Sequence, residues 1–502
     1  MDFLDPKKRR RHAIQLFVGY VLVATAIILA TTTLIYYAYG FGITREGDLV
    51  HKGLVFVSSQ PSGAELYVNN KRVENTNAKL NLASGDYTLR ITREGYHDWS
   101  RNITVDGSSV DHYVYPLLIP RELRQEVIHE YDAEPRLVTQ SPDRRWLMVQ
   151  LAGERETIFD VYDLSRGQKD VGIPREISVP QELLTSTTGS ARWELVEWSN
   201  NNRHALFRRH YTIDGAEKSE YILVDRQRPE GSYNLSRELN VDAATVDVTL
   251  FDKKPDTYYI HQKTTGELSK VDLRNPEPQR VLADVAAFKS HGKNVIVYVT
   301  AKDAPEGKVT AKLYDNGRSY KLRDIAAADV YLLDAARYDG NWYVVVGSQV
   351  DKRVFIYKDP IIQINRSADK KAGSLFALRV DQPNNVSFSA NAQYIALQSR
   401  TAIHVYDIEN EQAYRYDTKF VLDEPQKKMP WMDGNRFSYV SDGKQIMFDY
   451  DNINRRVLVP ANARYGSAYD RNYKYLYTFT QRKDNQPGIA LTATALRTEA
   501  DL

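Results

Sequence analysis

At 502 residues the chain is too long for one ordinary hydrophobic core, so its length predicts about three domains, or one large repeat architecture beside something smaller. Of the formal charge of +2, Lys7, Lys8, Arg9, Arg10 and Arg11 set against Asp2 and Asp5 already supply +3, leaving −1 for everything after residue 11. That near-neutral body argues against nucleic acid as the main partner, and the lack of cysteine excludes disulfides, cysteine zinc sites and a thiol nucleophile.

The first predicted element is apolar. Ala13 to Ala38 runs about 26 residues without a charge, enough to cross roughly 30 Å of hydrocarbon with some tilt. Tyr36, Tyr37, Tyr39 and Phe41 cluster at its far end as an interfacial belt would. The basic run before it holds that side in the cytoplasm by the positive-inside rule, which predicts a basic tail over 1–12, a signal anchor over 13–42 and an extracytoplasmic remainder. The competing readings are a nuclear-type basic signal and a cleaved leader. A leader has a shorter apolar region, about 7 to 15 residues, and a small-x-small site that this stretch lacks.

From Gly53 the runs LVFVSS, AELYVNN, AKLNL, DYTLRITR and WSRNITV alternate at period two and are separated by turn residues. Gly63, Asn69-Asn70, Gly85-Asp86 and Gly95 stand where tight reversals need positive φ or an Asx turn. The pattern predicts a small antiparallel β-sandwich over 43–120. Pro61-Ser62-Gly63-Ala64, Tyr67-Val68-Asn69-Asn70, Gly85-Asp86-Tyr87 and Gly95-Tyr96-His97-Asp98-Trp99 together resemble the PEGA domain, with Ser62 in place of the signature glutamate. Glu74-Asn75-Thr76-Asn77 departs from the Gly-x-x-Thr-Pro turn found in many members, so that turn is expected to differ. The resemblance implies an envelope-associated, non-enzymatic module.

After residue 134 a strand, a polar turn and a second strand recur eight times, at 141, 199, 252, 289, 337, 389, 432 and 469, with spacings of about 37 to 58 residues. A third element follows each, closing in most repeats on an acidic turn as in TIFDVYDL and AIHVYDIE, and fourth runs such as REISV and AYRYD follow the first seven. The missing outer strand is predicted from Arg124 to Tyr131, an alternating run ahead of the first repeat that can close the last one. The expected fold is therefore all-β with one N-terminal transmembrane helix: a PEGA-like sandwich, then a β-propeller over 121–502 with eight blades, or seven if one weak repeat is an insertion. The Ser-Pro-Asp turns and Tyr-Asp-Leu strand ends resemble TolB-type and WD40-type propellers, a likeness that informs the fold and not the function.

No chemical motif emerges. The ten histidines, at 12, 51, 97, 112, 129, 204, 210, 261, 291 and 404, show no ligand-pair spacing. Neither a Gly-x-Ser-x-Gly elbow nor a phosphate-binding loop is present. Asp449-Tyr450-Asp451-Asn452 is rich in oxygen but lacks the glycine and terminal glutamate of a calcium loop. Trp193 and Trp198, five apart, are expected on opposite faces of a strand; Trp146, Trp342 and Trp431 flank similar positions. Their two readings are packing between blades and a platform for a sugar or peptide. No catalytic, cofactor-binding or metal residue is assigned and no cofactor is expected. The expected function is a membrane-anchored extracytoplasmic binding or scaffolding protein of a bacterial envelope, whose partners are membrane lipid through the helix and an envelope protein or cell-wall glycan. The alternatives are a glycan-cleaving propeller enzyme with carboxylates in its central channel, and a docking subunit of a secretion or wall-synthesis complex.

Overall fold

The computed structural model describes residues 6–38, 41–43, 49–166, 171–418, 429–482 and 486–501. Asp2, Asp5 and Tyr39 lie outside them, as do the side chains of Lys7, Lys8, Arg9 and Tyr37.

Pro6–Ala38 is one helix, and Arg10–Tyr36 within it is long and apolar enough to cross a membrane, with a mean hydropathy of 2.3. Its threonines do not interrupt it, because Thr25 and Thr33 return their hydroxyls to the carbonyls of Val21 and Leu29, four residues back, at 2.8 Å.

The chain divides into two compact units, 1–122 with 497–502, and 123–496. In the first, two four-stranded sheets enclose a core that includes Val55, Val57, Leu66, Leu80, Leu89, Ile91, Tyr96, Trp99 and Ile103. The alternating residues of Trp99–Val105 explain how so short a stretch builds a core: every second side chain is buried and the rest face out. Asn69 and Asn70 both take positive φ, 47° and 64°, as a two-residue hairpin turn demands. Two strands escape a period-two reading. Lys71–Asn75 is an edge strand exposed at every position, and Val110–Tyr113 pairs in parallel with Leu49–Val57. The turn that departs from the family pattern is used differently: the Thr76 hydroxyl accepts from the Ala64 amide at 3.0 Å and meets Ser59 Oγ at 2.7 Å, which ties it to the signature loop.

The second unit is propeller-like. Among the described residues it holds eight antiparallel sheets in sequence order, seven of four strands and one of three. The eighth is completed by Gln125–Tyr131, which pairs with Ile489–Ala495 as its outer strand. The seventh has three described strands, with an isolated bridge between Trp431 and Phe437 beside the first of them.

Four of the turns that join first and second strands share one hydrogen-bond frame. Ser141, Ser199, Ser389 and Asp470 each bond the backbone of the residue five positions on. Within each turn Arg144, Asn202, Ala392 or Tyr473 adopts positive φ. In the first three the serine hydroxyl also accepts the amide of the residue five positions on, Trp146, His204 or Tyr394, and donates to Asp143, Asn201 or Asn391. This is the physical content of the Ser-x-Asp/Asn repeat: a side chain supplies the bonds that a tight reversal leaves unmade.

Adjacent sheets are joined by specific contacts. Asp143 N donates to Asn202, Asn200 N to the Lys253 carbonyl, Ala335 N to His291 Nε2, Tyr338 to Glu409, Trp431 to Ser387 and Tyr473 to the Met432 carbonyl. Tyr259 and Phe288 link the third sheet to the fourth, and Gln140 donates to the Tyr469 carbonyl at 2.7 Å, returning from the first sheet to the eighth.

Residues 497–501, expected at the end of the propeller, group instead with the first unit. Arg93 and Tyr96 hold Asp501 there.

Candidate functional site

The tryptophans fall mainly on the packing side of the two readings. Trp193 and Trp198 do not point to opposite faces: both are buried in one cluster with Phe159 and Phe207. The cause is a β-bulge. Leu195 pairs with Phe207 and Glu197 with Leu206, so Val196 is an extra residue that shifts the alternation by one. Trp198 donates to the Thr139 hydroxyl at 2.9 Å in the neighbouring sheet. Trp431 stacks on Phe437 with ring centroids 3.9 Å apart and lies 6.2 Å from Tyr394, which stacks on Tyr450 at 4.0 Å. Trp146 lies between the guanidinium groups of Arg226, at 3.6 Å, and Arg145, at 4.6 Å.

The oxygen-rich stretch at 449–452 is a turn. Asp449 is buried, accepts from Asn454 at 2.8 Å and carries a backbone bond from Asn452. Among the described residues no group of three histidine, aspartate or glutamate side chains is placed to hold a metal ion. His261 bonds the Val285 carbonyl at 2.9 Å inside a sheet junction. His291 accepts the Ala335 amide through Nε2 and lies 3.5 Å from Asp334, which pairs with Lys289 at 2.9 Å. Burial pushes the His291 imidazole down to about 4 against the opposing pull of Asp334, consistent with a neutral ring that accepts a hydrogen bond.

Trp342 differs from the other four. It lines a cavity of about 320 Å³ between the fourth and fifth sheets. Val295 and Leu313 of the fourth sheet form an apolar floor; Pro360, Ile361 and Ile362 form the cover, and Asp315, Arg337, Asn341 and Asp359 the polar rim. The cover is an insertion. Strand Arg353–Lys358 ends and the outer strand Phe376–Arg379 begins only after the helix Pro360–Arg366.

Local chemistry explains that helix. Pro360 occupies the first turn, where a missing N–H is no loss. Asp359 stands just before it in the left-handed region, at φ 45°. Its amide donates to the Trp342 carbonyl at 2.7 Å and its carboxylate accepts the Trp342 amide at 2.8 Å, which fixes the helix start to the second strand. Gln363 closes the segment, donating to the Lys358 carbonyl and accepting the Gly373 amide. Ile364 and Ile361 turn inward against the core of the two sheets, while Ile362 remains 48% exposed. The Arg337 guanidinium sits 5.2 Å from the Trp342 ring centroid. An apolar cleft with an aromatic wall and a few charged groups at its mouth suits an amphipathic ligand. The sequence signal for it was an Asp-Pro helix start followed by isoleucines three apart, inside the longest gap between third and fourth runs.

The fold thus defines an all-β protein with an N-terminal apolar helix, a small β-sandwich and a propeller-like unit. Residues 52–115 match the PEGA domain family, and this part of the chain is a PEGA domain. None of the curated proteins compared with the chain matches it. Among solved structures it is similar to Hsv2 of Kluyveromyces lactis, at 12% identity and a TM-score of 0.34 over 73% of this chain and 97% of that one. It is also similar to the dihydro-heme d1 dehydrogenase NirN in complex with DHE (13%, TM-score 0.39, 65% and 67%) and to an oligogalacturonate lyase in complex with manganese (12%, TM-score 0.36, 74% and 99%). Scores at this level do not bear on the chemistry or partners of this chain.

Proposed function

We propose that the chain is a non-enzymatic binding or scaffolding protein of a bacterial cell envelope. The helix of Arg10–Tyr36 crosses the membrane once with the basic tail in the cytoplasm, and the PEGA domain and the propeller lie outside. The eight sheets are the blades of an eight-bladed propeller, closed by Gln125–Tyr131. The single observation that carries the binding reading is the covered cleft at Trp342. Between its third and fourth strands the fifth repeat carries the seven-residue helix Pro360–Arg366, where the first and second repeats carry short helical turns at Leu164–Arg166 and Pro229–Gly231, and this helix builds a pocket whose outer isoleucine stays exposed. The partner is an envelope protein, or a cell-wall glycan, that seats an apolar or ring-shaped group against Trp342.

The test is retention of partners from solubilised envelopes by the intact chain in detergent, beside sedimentation with purified cell wall. Trp342→Ala and Ile362→Asp are expected to lower retention at least tenfold. Unchanged retention by both would overturn the assignment of the cleft, and no specific retention by the parent chain would overturn the scaffold reading. For topology, protease added to intact spheroplasts is expected to digest epitopes placed beyond residue 43; protected epitopes would reverse the orientation.

A further inference from the structure

The end of the chain reaches the PEGA domain through polar contacts. Arg93 faces the Asp501 carboxylate with Nε at 3.2 Å and with Nη2, a two-point grip. The Tyr96 hydroxyl donates to the same carboxylate at 2.8 Å and accepts the Thr498 amide at 2.9 Å. Arg497 donates to Gln60 Oε1 at 3.2 Å. The receiving groups are also held by the domain itself: Tyr96 is a buried core residue, and Arg93 Nη1 is anchored on the Ser62 carbonyl at 2.7 Å. Both loops that supply them, 60–63 and 93–96, carry the family markers.

The tail itself is lightly held. It belongs to no sheet; its last described residues form a single short turn, Glu499–Asp501, whereas the preceding strand Ile489–Ala495 is paired on both sides. Arg93 keeps 28% of its side chain exposed, so salt reaches the ion pair from the arginine side, while Asp501 is 11% exposed. Such a segment can leave without breaking a strand ladder.

We propose that Arg93, Tyr96 and Gln60 form a carboxylate-recognition seat for a peptide of the pattern Thr-x-x-Asp, occupied in cis by residues 498–501 and able to release them. An acidic segment from another polypeptide would have to displace this tail.

The experiment uses the membrane-anchored chain in detergent, ended at Leu496, and a labelled peptide of residues 497–502. Saturable binding is expected, at least tenfold weaker for the peptide with Asp501→Asn, weakened by salt, and at least tenfold weaker on the intact chain. Equal binding of the acid and amide peptides, or none by a truncated chain whose PEGA domain is folded, would overturn the proposal. If truncation unfolds the domain, hydrogen exchange on the intact chain decides. The amides of Thr498 and Asp501 are expected to exchange well before those of Ile489–Ala495, and faster still in Arg93→Gln. Protection equal to the strand's would mean a permanent part of the fold.

Discussion

Val196 decides where two large side chains go. As the extra residue of a bulge it brings Trp198 back to the face that Trp193 already occupies, and one core gains both rings. Deleting Val196 should remove the bulge and leave Trp193 and Trp198 four apart on one face, so that both rings stay buried. Trp198→Ala, by contrast, should cost about 3 to 5 kcal/mol, the scale of losing a buried tryptophan, read as a lower urea midpoint for the second unit. His291 is the second decisive residue. Its folded value of about 4 lies below the ordinary 6.5, so the unfolded chain binds the proton more readily between those values. Stability is therefore full above about pH 6.5 and falls as the pH drops toward 4, by roughly 3 kcal/mol over the window. His291→Gln, which retains an acceptor for the Ala335 amide, should flatten that dependence when urea midpoints are compared at pH 7 and pH 5. An unchanged slope would show that other groups carry it.

At the scale of elements, the second sheet carries the longest hairpin of its unit, His204–Ile213 with Ala216–Asp225. Its middle is held by charge. Arg209 and Glu220, each 3% exposed, pair at 2.7 Å, and Glu220 also accepts from Thr185 and Asn234 at 2.7 and 2.8 Å. A buried pair of this kind contributes little against an apolar substitute, but removing Glu220 leaves the Arg209 guanidinium only the longer pairing with Glu156, at 3.5 Å. Glu220→Gln should thus cost about 3 kcal/mol or more, whereas replacing both residues by apolar ones of similar volume should cost less; a double-mutant cycle with thermal unfolding measures the difference. A related pair closes the turn of the first sheet. Burial alone would raise the Asp163 carboxyl, but the bonds from Arg145 and Ser165 outweigh it and hold the group at about 2. That contribution is present above the unfolded value near 3.8 and is lost as the pH falls toward 2, so Asp163→Asn should lose less stability than the parent across that interval.

For the whole molecule the closing strand matters most. Gln125–Tyr131 covers the edge of Ile489–Ala495, and Tyr131 enters the same core as Tyr162 and Phe479. Replacing 125–131 by a glycine-serine segment should uncover a strand edge and empty that corner of the core. Light scattering should then report association at concentrations where the parent is monodisperse; a monodisperse variant would show that the edge is protected by something else.

The sequence by itself determined the apolar helix, the PEGA domain, the repeat and its closing strand, because each is written in local terms: a run without charge, turn residues at fixed offsets, an alternation of period two. Gln125–Tyr131 was legible for the same reason, although its partner lies more than three hundred residues away. Tertiary structure decided the rest. The bulge at Val196 adds one residue to a strand and leaves no mark in composition. The edge strand Lys71–Asn75 is exposed on both faces and so carries no alternation to read. The cleft at Trp342 and the seat at Arg93 and Tyr96 assemble side chains from distant segments, and what makes each a site is distance and burial, which exist only once the sheets have packed.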